Sequence, residues 1–224
     1  MDIKEFISRE KARADCFRFL SACFCQPQKE VFIREGLFKN LSASLKQSCP
    51  AALSIAGDME MAFIKCSEED LLVEYARLFV GPNEIVAPPY GSVYLDRDRR
   101  VMGDSTMAAV DFYKSQGVVM DGDFREVPDH IAVELEFMYY LVFKEIEATE
   151  ASDMTGAAAV MEAQELFMNK FLRQWTEKFA GKITEGAETG FYRALAGCLY
   201  SFIYKIDIKD SLPEELTAAA VSQC

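Results

Sequence analysis

Apolar residues recur every three to four positions along most of this chain, and stretches that alternate every second residue are scarce, a pattern that predicts helices and not strands. Cys16, Phe17, Leu20, Cys23 and Phe24 make one apolar stripe, closed by the turn Gln26-Pro27-Gln28. A second helix is expected across residues 29–47. Ser67, with Asp70 three residues on, has the form of a capping box. Behind it Leu71, Leu72, Tyr75, Leu78 and Phe79 share one helical face, up to a stop at Gly81-Pro82.

The next stretch, GPNEIVAPPYGSVYLDRDRRV (81–101), mixes prolines and glycines with apolar and aromatic residues, which predicts a structured loop and not a floppy linker. Gly103-Asp104-Ser105 offers a helix start, with the helix running to about Gln116 before Gly117. After Pro128, Ile131, Leu135, Met138, Val142 and Ile146 mark a helical seam, and Phe137, Tyr139, Tyr140 and Phe143 extend its apolar surface almost all round, so this helix is expected at the centre of the fold. Residues 151–160 read as a linker at first. Met161, Met168, Leu172, Trp175 and Phe179 then predict a long helix ended by Gly181, and Phe191, Leu195, Cys198, Phe202 and Ile206 predict the last strong one.

With no internal repeat or low-complexity tract, the expected architecture is all-α, a single multi-helix bundle domain over residues 1–224. Within it the charged, glycine-containing stretch at about 120–128 is the best candidate for a connection between an N-terminal half, about 1–119, and a C-terminal half, about 129–210.

Composition narrows the partners. Half of the 224 residues are apolar, enough for a sizeable core. Asp and Glu outnumber Lys and Arg 36 to 24, for a formal charge of −12, which disfavours nucleic acid and anionic membranes and suits a basic partner, although acidity also serves solubility. The odd number of cysteines, 7, and the absence of CxxC pairs argue for small core thiols and against a zinc site or a disulfide framework. The first residues, MDIKEF, lack the features of a secretory signal, and no apolar run approaches the ~18 residues of a membrane span, so the expected compartment is the cytoplasm, without stable membrane insertion.

The one histidine, His130, sits between Asp129 and an apolar run, with Glu134 one helical turn on. An acid–base pair is geometrically possible, but Asp or His at a helix start is commonly a cap, and neither GxSxG, a Walker loop, HExxH nor GxGxxG is present. A small helical enzyme using Asp129 and His130 is therefore the weaker reading, and no catalytic residue, metal or cofactor is assigned. The PPYGSVYL loop suits a recognition surface, since prolines hold the backbone extended while Tyr90 and Tyr94 offer broad surfaces at low entropy cost; a plug packed across the end of the bundle is the plainer alternative.

Three segments taken together carry more information: EYARLFVGP (74–82), APPYGSVYLDRDRRVMGDST (87–106) and VPDHIAVELEFM (127–138). In order and spacing, over roughly residues 10–207, they resemble the TorD/DmsD family of cytoplasmic redox-enzyme maturation chaperones, and PPYGSVYLDR followed by MGDST is most similar to the dimethyl sulfoxide reductase chaperone branch. The resemblance implies a TorD-like helical fold and a non-catalytic task. Such a protein binds the twin-arginine signal peptide of a molybdopterin-containing oxidoreductase and holds the precursor until cofactor insertion and folding are complete before export. The alternative it leaves open is an assembly chaperone of the nitrate reductase type, acting on a catalytic subunit retained in the cytoplasm. Family peptide-binding positions fall on Tyr75, Leu78, Phe79, Pro89, Tyr90, Gly103, Pro128, Asp129 and His130. Where close relatives carry tryptophan at two of these places, this chain has Tyr75 and Tyr90. On this reading Asp129, helped by Glu126 or Glu134, pairs with the arginines, His130 orients the peptide, and the aromatic residues bury its apolar run. The expected state is mostly monomeric, with a domain-swapped dimer as a minor form.

Overall fold

Helices whose apolar stripes cover more than one face must be sheltered by other helices. The computed structural model describes residues 1–82, 84–119, 121, 125–210 and 212–221, and meets this need without a β-strand among them. Helix α1 (Ile3–Cys23) starts at Asp2, whose side chain accepts the Glu5 N–H at 2.8 Å, and buries Phe6, Cys16, Phe17 and Leu20. It lies along both α3 (Leu37–Ser48) and α8 (Ile131–Glu150). Helix α4 (Leu53–Lys65) packs on α3 and on α11 (Gly190–Lys205), α11 packs on α10 (Arg173–Gly186), and α9 (Met154–Phe167) packs on α8 and on α12 (Glu214–Val221). Helices from both ends of the sequence thus share one core, where Phe17 and Phe202 meet edge to face at 4.8 Å.

Polar groups also enter this core. Arg13 of α1 is buried and pairs with Glu10 and, at 2.8 Å, with Glu145 of α8. Gln164 of α9 donates to the same Glu145 at 2.6 Å. Burial pushes the Glu145 carboxyl up to about 7, the Arg13 cation opposing the rise. Three helices are therefore held in register by one buried network, in which Arg13 Nη1, Glu145 Oε1 and Gln164 Oε1 have no protein hydrogen-bond partner among the described residues.

Several expected elements differ. The helix predicted across 29–47 is two: α2 (Lys29–Arg34) stops, Gly36 turns with φ +62°, and α3 follows, because a glycine in the left-handed region cannot continue a right-handed helix. The stretch 151–160 is a linker only as far as Asp153, whose side chain accepts the Gly156 N–H at 2.9 Å and starts α9. The helix that follows does not end at Gly181. A wider π-type turn over Met168–Leu172 joins α9 to α10, which continues to Gly186. That turn shifts the phase of the stripe, so that Met168, Phe171, Leu172 and Trp175 are all buried. The predicted core thiols Cys16, Cys23, Cys49 and Cys198 are buried, whereas Cys25 is exposed and Cys66 half-buried. Cys224, and residues 120 and 122–124 of the expected connection, lie outside the described residues.

Candidate functional site

Helix α5 (Glu68–Tyr75) begins with the predicted capping box: Asp70 N–H donates to Ser67 Oγ at 3.0 Å and Ser67 N–H returns to Asp70 Oδ2 at 3.2 Å. It ends in a π-type turn over Ala76–Val80, closed by Gly81 at φ +107°. The wide turn sends Leu78 and Phe79 into the core and leaves Tyr75 half-buried, its ring edge-on to Phe79 at 5.4 Å. The Tyr75 hydroxyl points back along the fold toward the Phe24 carbonyl at 3.4 Å.

From Gly81 the chain returns across this helix. Ala87 N–H donates to the Leu78 carbonyl at 2.9 Å, and the loop then pairs with the entry to α8. Ile131 N–H donates to Pro89 O at 2.8 Å and Gly91 N–H to Asp129 O at 2.9 Å, an isolated antiparallel bridge centred on Tyr90 and His130. The side chains reinforce it. Asp129 Oδ2 accepts the Ser92 N–H at 2.6 Å and so caps the short helix α6 (Gly91–Leu95). His130 caps α8 with its ring, Nδ1 accepting the Ala132 N–H at 3.1 Å, while the Tyr90 ring stands edge-on at 5.3 Å. The Tyr113 hydroxyl, from α7 (Asp104–Ser115), donates to Pro128 O at 2.8 Å.

Beneath the bridge, Trp175 Nε1 donates to Glu134 Oε2 at 3.0 Å, and Gly91 lies so close to this indole that a Cβ there would sit 3.2 Å from Nε1. Glu134 is buried, and desolvation holds its carboxyl well above the usual range, with Asp129 adding to the rise and the Trp175 hydrogen bond opposing it. His130 is displaced downward, chiefly by burial, against the pull of Glu126 and Asp129. A neutral imidazole is the form its capping role requires, since Nδ1 must carry a lone pair to accept.

The structure therefore brings together Tyr75, Leu78, Phe79, Pro89, Tyr90, Pro128, Asp129 and His130 around one loop–helix junction. Gly103 belongs to different local structure: it precedes α7 and packs on Asp96, whose carboxylate meets the Ser105 N–H at 3.3 Å. Of the residues at the junction, Asp129 is 2% exposed and His130 5%, while Tyr75 and Tyr90 reach the surface. Burial pushes the Tyr75 hydroxyl up to about 12, and Cys25, Glu126 and Tyr90 are its ionisable neighbours. Cys25, Glu126 and Glu136 are exposed and near one another, so the open face of the junction is two tyrosine rings beside a thiol and two carboxylates. Nothing in the sequence marks Glu136 as a site residue, and Trp175 reads there only as one position of a helical stripe. The CFC spacing alone gives a signal for Cys25, since it puts neighbouring thiols on different helix faces. Among the described residues no group of three or more His, Cys, Asp or Glu is placed to hold a metal ion, and no helix is long and apolar enough to cross a membrane.

The family model described as the nitrate reductase delta subunit matches residues 46–181. Among curated proteins, the chaperone protein TorD of Aliivibrio salmonicida is 24% identical over 92% of this chain and 98% of its own. TorD of Aliivibrio fischeri is 29% identical over 62% of this chain and 63% of its own length. A Haemophilus influenzae protein described as the Tat proofreading chaperone DmsD is 29% identical over 58% of this chain and 56% of its own. The matched stretch thus spans less than two thirds of the latter two relatives. These relatives are named as chaperones and not as enzymes. A crystal structure described as a redox enzyme maturation protein from Archaeoglobus fulgidus shares the fold, with a TM-score of 0.55 and 22% identity over 86% of this chain and 94% of the other.

Proposed function

The chain belongs to the nitrate reductase delta subunit family, the TorD-like proteins, and from that premise we propose that it is a cytoplasmic chaperone for the twin-arginine signal peptide of a molybdopterin-containing oxidoreductase. It holds the precursor until cofactor insertion and folding are complete. The observation that carries this reading is the Tyr90–His130 bridge, which with the Ala87–Leu78 hydrogen bond gathers the end of α5, the loop and the start of α8 into one aromatic face with acids at its edge. A twin-arginine peptide is apolar along its middle and basic at one end, and this face offers both complements.

The junction residues divide the work on this reading. Tyr75 and Tyr90 cover the apolar run of the peptide; Phe79 backs the Tyr75 ring edge-on, and Leu78 and Pro89 are buried in the same junction. Asp129 and His130, both buried, hold the loop and the helix start in place, and Glu126 and Glu136 are the carboxylates open to solvent. Calorimetric titration with twin-arginine peptides from the oxidoreductases of the source organism tests the proposal. Saturable binding by one of them, weakened when both arginines become alanine, supports it; no binding by any of them sinks it.

The description of the matching family model favours one second reading, a chaperone for the catalytic subunit of a cytoplasm-retained nitrate reductase. Identification of the client that co-purifies with the native protein separates the two.

A further inference from the structure

Asp129 offers no open carboxylate to the arginines of such a peptide, being 2% exposed with Oδ2 on the Ser92 N–H. One residue before Tyr75 on the same helix, Glu74 lines a cleft of about 700 Å³ between α4, α5 and the start of α11. Its walls carry Met61 and Val73, 56% and 62% exposed, beside Ala62. Exposed apolar side chains facing each other across a cleft mark a surface that gains by being covered.

The charges of the cleft have a sign. Asp58, Glu69 and Glu188 stand exposed around it, and Asp70 is committed to the α5 cap. Glu74 is spent at the base, accepting the backbone N–H groups of Glu188 and Thr189, which fixes the start of α11 against α5. Of the cations, Lys65 lies at the edge, and Arg77 is already engaged by the Gly186 carbonyl at 2.7 Å and by Glu188 at 3.5 Å. An occupant must therefore be apolar on one side and cationic on the other. Arginine fits, because its stem packs on apolar surface while its fork meets carboxylates bidentately. Consecutive helix positions point about 100° apart, so Glu74 and Tyr75 place the cleft and the tyrosine face on adjoining sides of α5.

We propose that this cleft receives the arginine-bearing end of the signal peptide whose apolar run lies on Tyr75 and Tyr90, with Asp58 and Glu69 taking the guanidinium groups and Met61 and Val73 covering their stems. The proposal rests on the signal-peptide reading above and assigns the charge recognition to residues outside the three family-like segments.

Two native thiols report on the two places separately: Cys25 is exposed beside Tyr75, and Cys66 lines the cleft. The full chain is alkylated with iodoacetamide and mapped by mass spectrometry, alone, with a synthetic twin-arginine peptide, and with its double-alanine version. The twin-arginine peptide is expected to protect both thiols, and the double-alanine peptide Cys25 alone. In the surface variant Asp58→Lys/Glu69→Lys the twin-arginine peptide binds about tenfold more weakly, no better than the alanine version. Protection of Cys25 with Cys66 reacting at its free rate overturns the cleft assignment and leaves the chaperone reading standing. Equal protection of Cys66 by both peptides also overturns it, since arginine would then not be what the cleft reads. Protection of neither thiol overturns both proposals.

Discussion

Tyr90 and His130 face each other across an antiparallel bridge that welds a proline-rich loop to the first turn of the central helix α8. Their side chains reinforce it: the Tyr90 ring stands edge-on to the imidazole, and the imidazole caps the helix. What the loop presents outward is thus decided in part by the buried Asp129 and His130, and substitutions there separate holding the surface from touching a ligand.

Asp129 gives the sharpest separation. Asp129→Ala removes the acceptor for the Ser92 N–H and costs about 1–3 kcal/mol in urea unfolding, with peptide affinity falling as the loop loosens. Asp129→Asn keeps an acceptor oxygen. It is expected to bind peptide nearly as well as wild type, because the side chain acts on the loop. An asparagine variant as defective as the alanine one, at unchanged stability, would show that the charge itself meets the peptide.

His130 makes stability depend on pH in a direction that can be worked out. Burial lowers its folded-state pKa below the usual value of about 6.5, with Glu126 and Asp129 opposing and the Tyr90 ring packed on it. As pH falls, the unfolded chain takes up the proton first. Stability is therefore complete above about pH 6.5 and declines as pH drops toward the folded value. His130→Asn keeps a capping side chain without the titration, so its urea midpoint should be flatter between about pH 5.5 and 7. Parallel curves for variant and wild type would remove His130 as the source.

How much of this was readable beforehand varies residue by residue. The Ser67–Asp70 box, the α8 seam and the helix start after Gly103 rest on local chemistry, and each stands where the pattern put it. The two π-type turns were invisible, since one added residue per turn changes only the phase of a stripe and leaves it just as apolar. From the sequence Asp129 reads as a rim charge because acids usually are exposed, and helix α6, whose N–H it satisfies, is too short to declare itself there. Nothing local singles out Glu74, for its partners are backbone N–H groups more than a hundred residues away.

Glu134 carries the opposite sign from His130. Burial makes its carboxyl hold a proton to higher pH in the folded protein than in the unfolded chain, which releases it near pH 4.3, so stability is lost as pH rises above about that value. Glu134→Gln preserves an acceptor for Trp175 Nε1 and removes the ionisable group. It should match or exceed wild type at pH 7, whereas Glu134→Ala strands the indole N–H and loses about 1–3 kcal/mol. Thermal unfolding of the pair at pH 5 and pH 7.5 checks the sign; a glutamine variant that loses ground at the higher pH contradicts a protonated Glu134.

Arg13 tests whether the α1–α8–α9 network is held by charge. Arg13→Met keeps the apolar stem but leaves Glu10 and Glu145 buried without their cation, a change expected to cost about 3–5 kcal/mol. The cost should grow with pH. Burial already raises Glu145, and without the guanidinium its folded-state pKa climbs further, so the folded state keeps a proton that the unfolded chain has released. Adding Glu145→Gln and Glu10→Gln to Arg13→Met removes both stranded charges and should recover much of the loss. Guanidinium chloride midpoints at two pH values distinguish the outcomes. Recovery in the triple variant identifies uncompensated charge as the damage, while a loss that is independent of pH and unrelieved in the triple variant shows that the guanidinium stabilised these helices by packing alone.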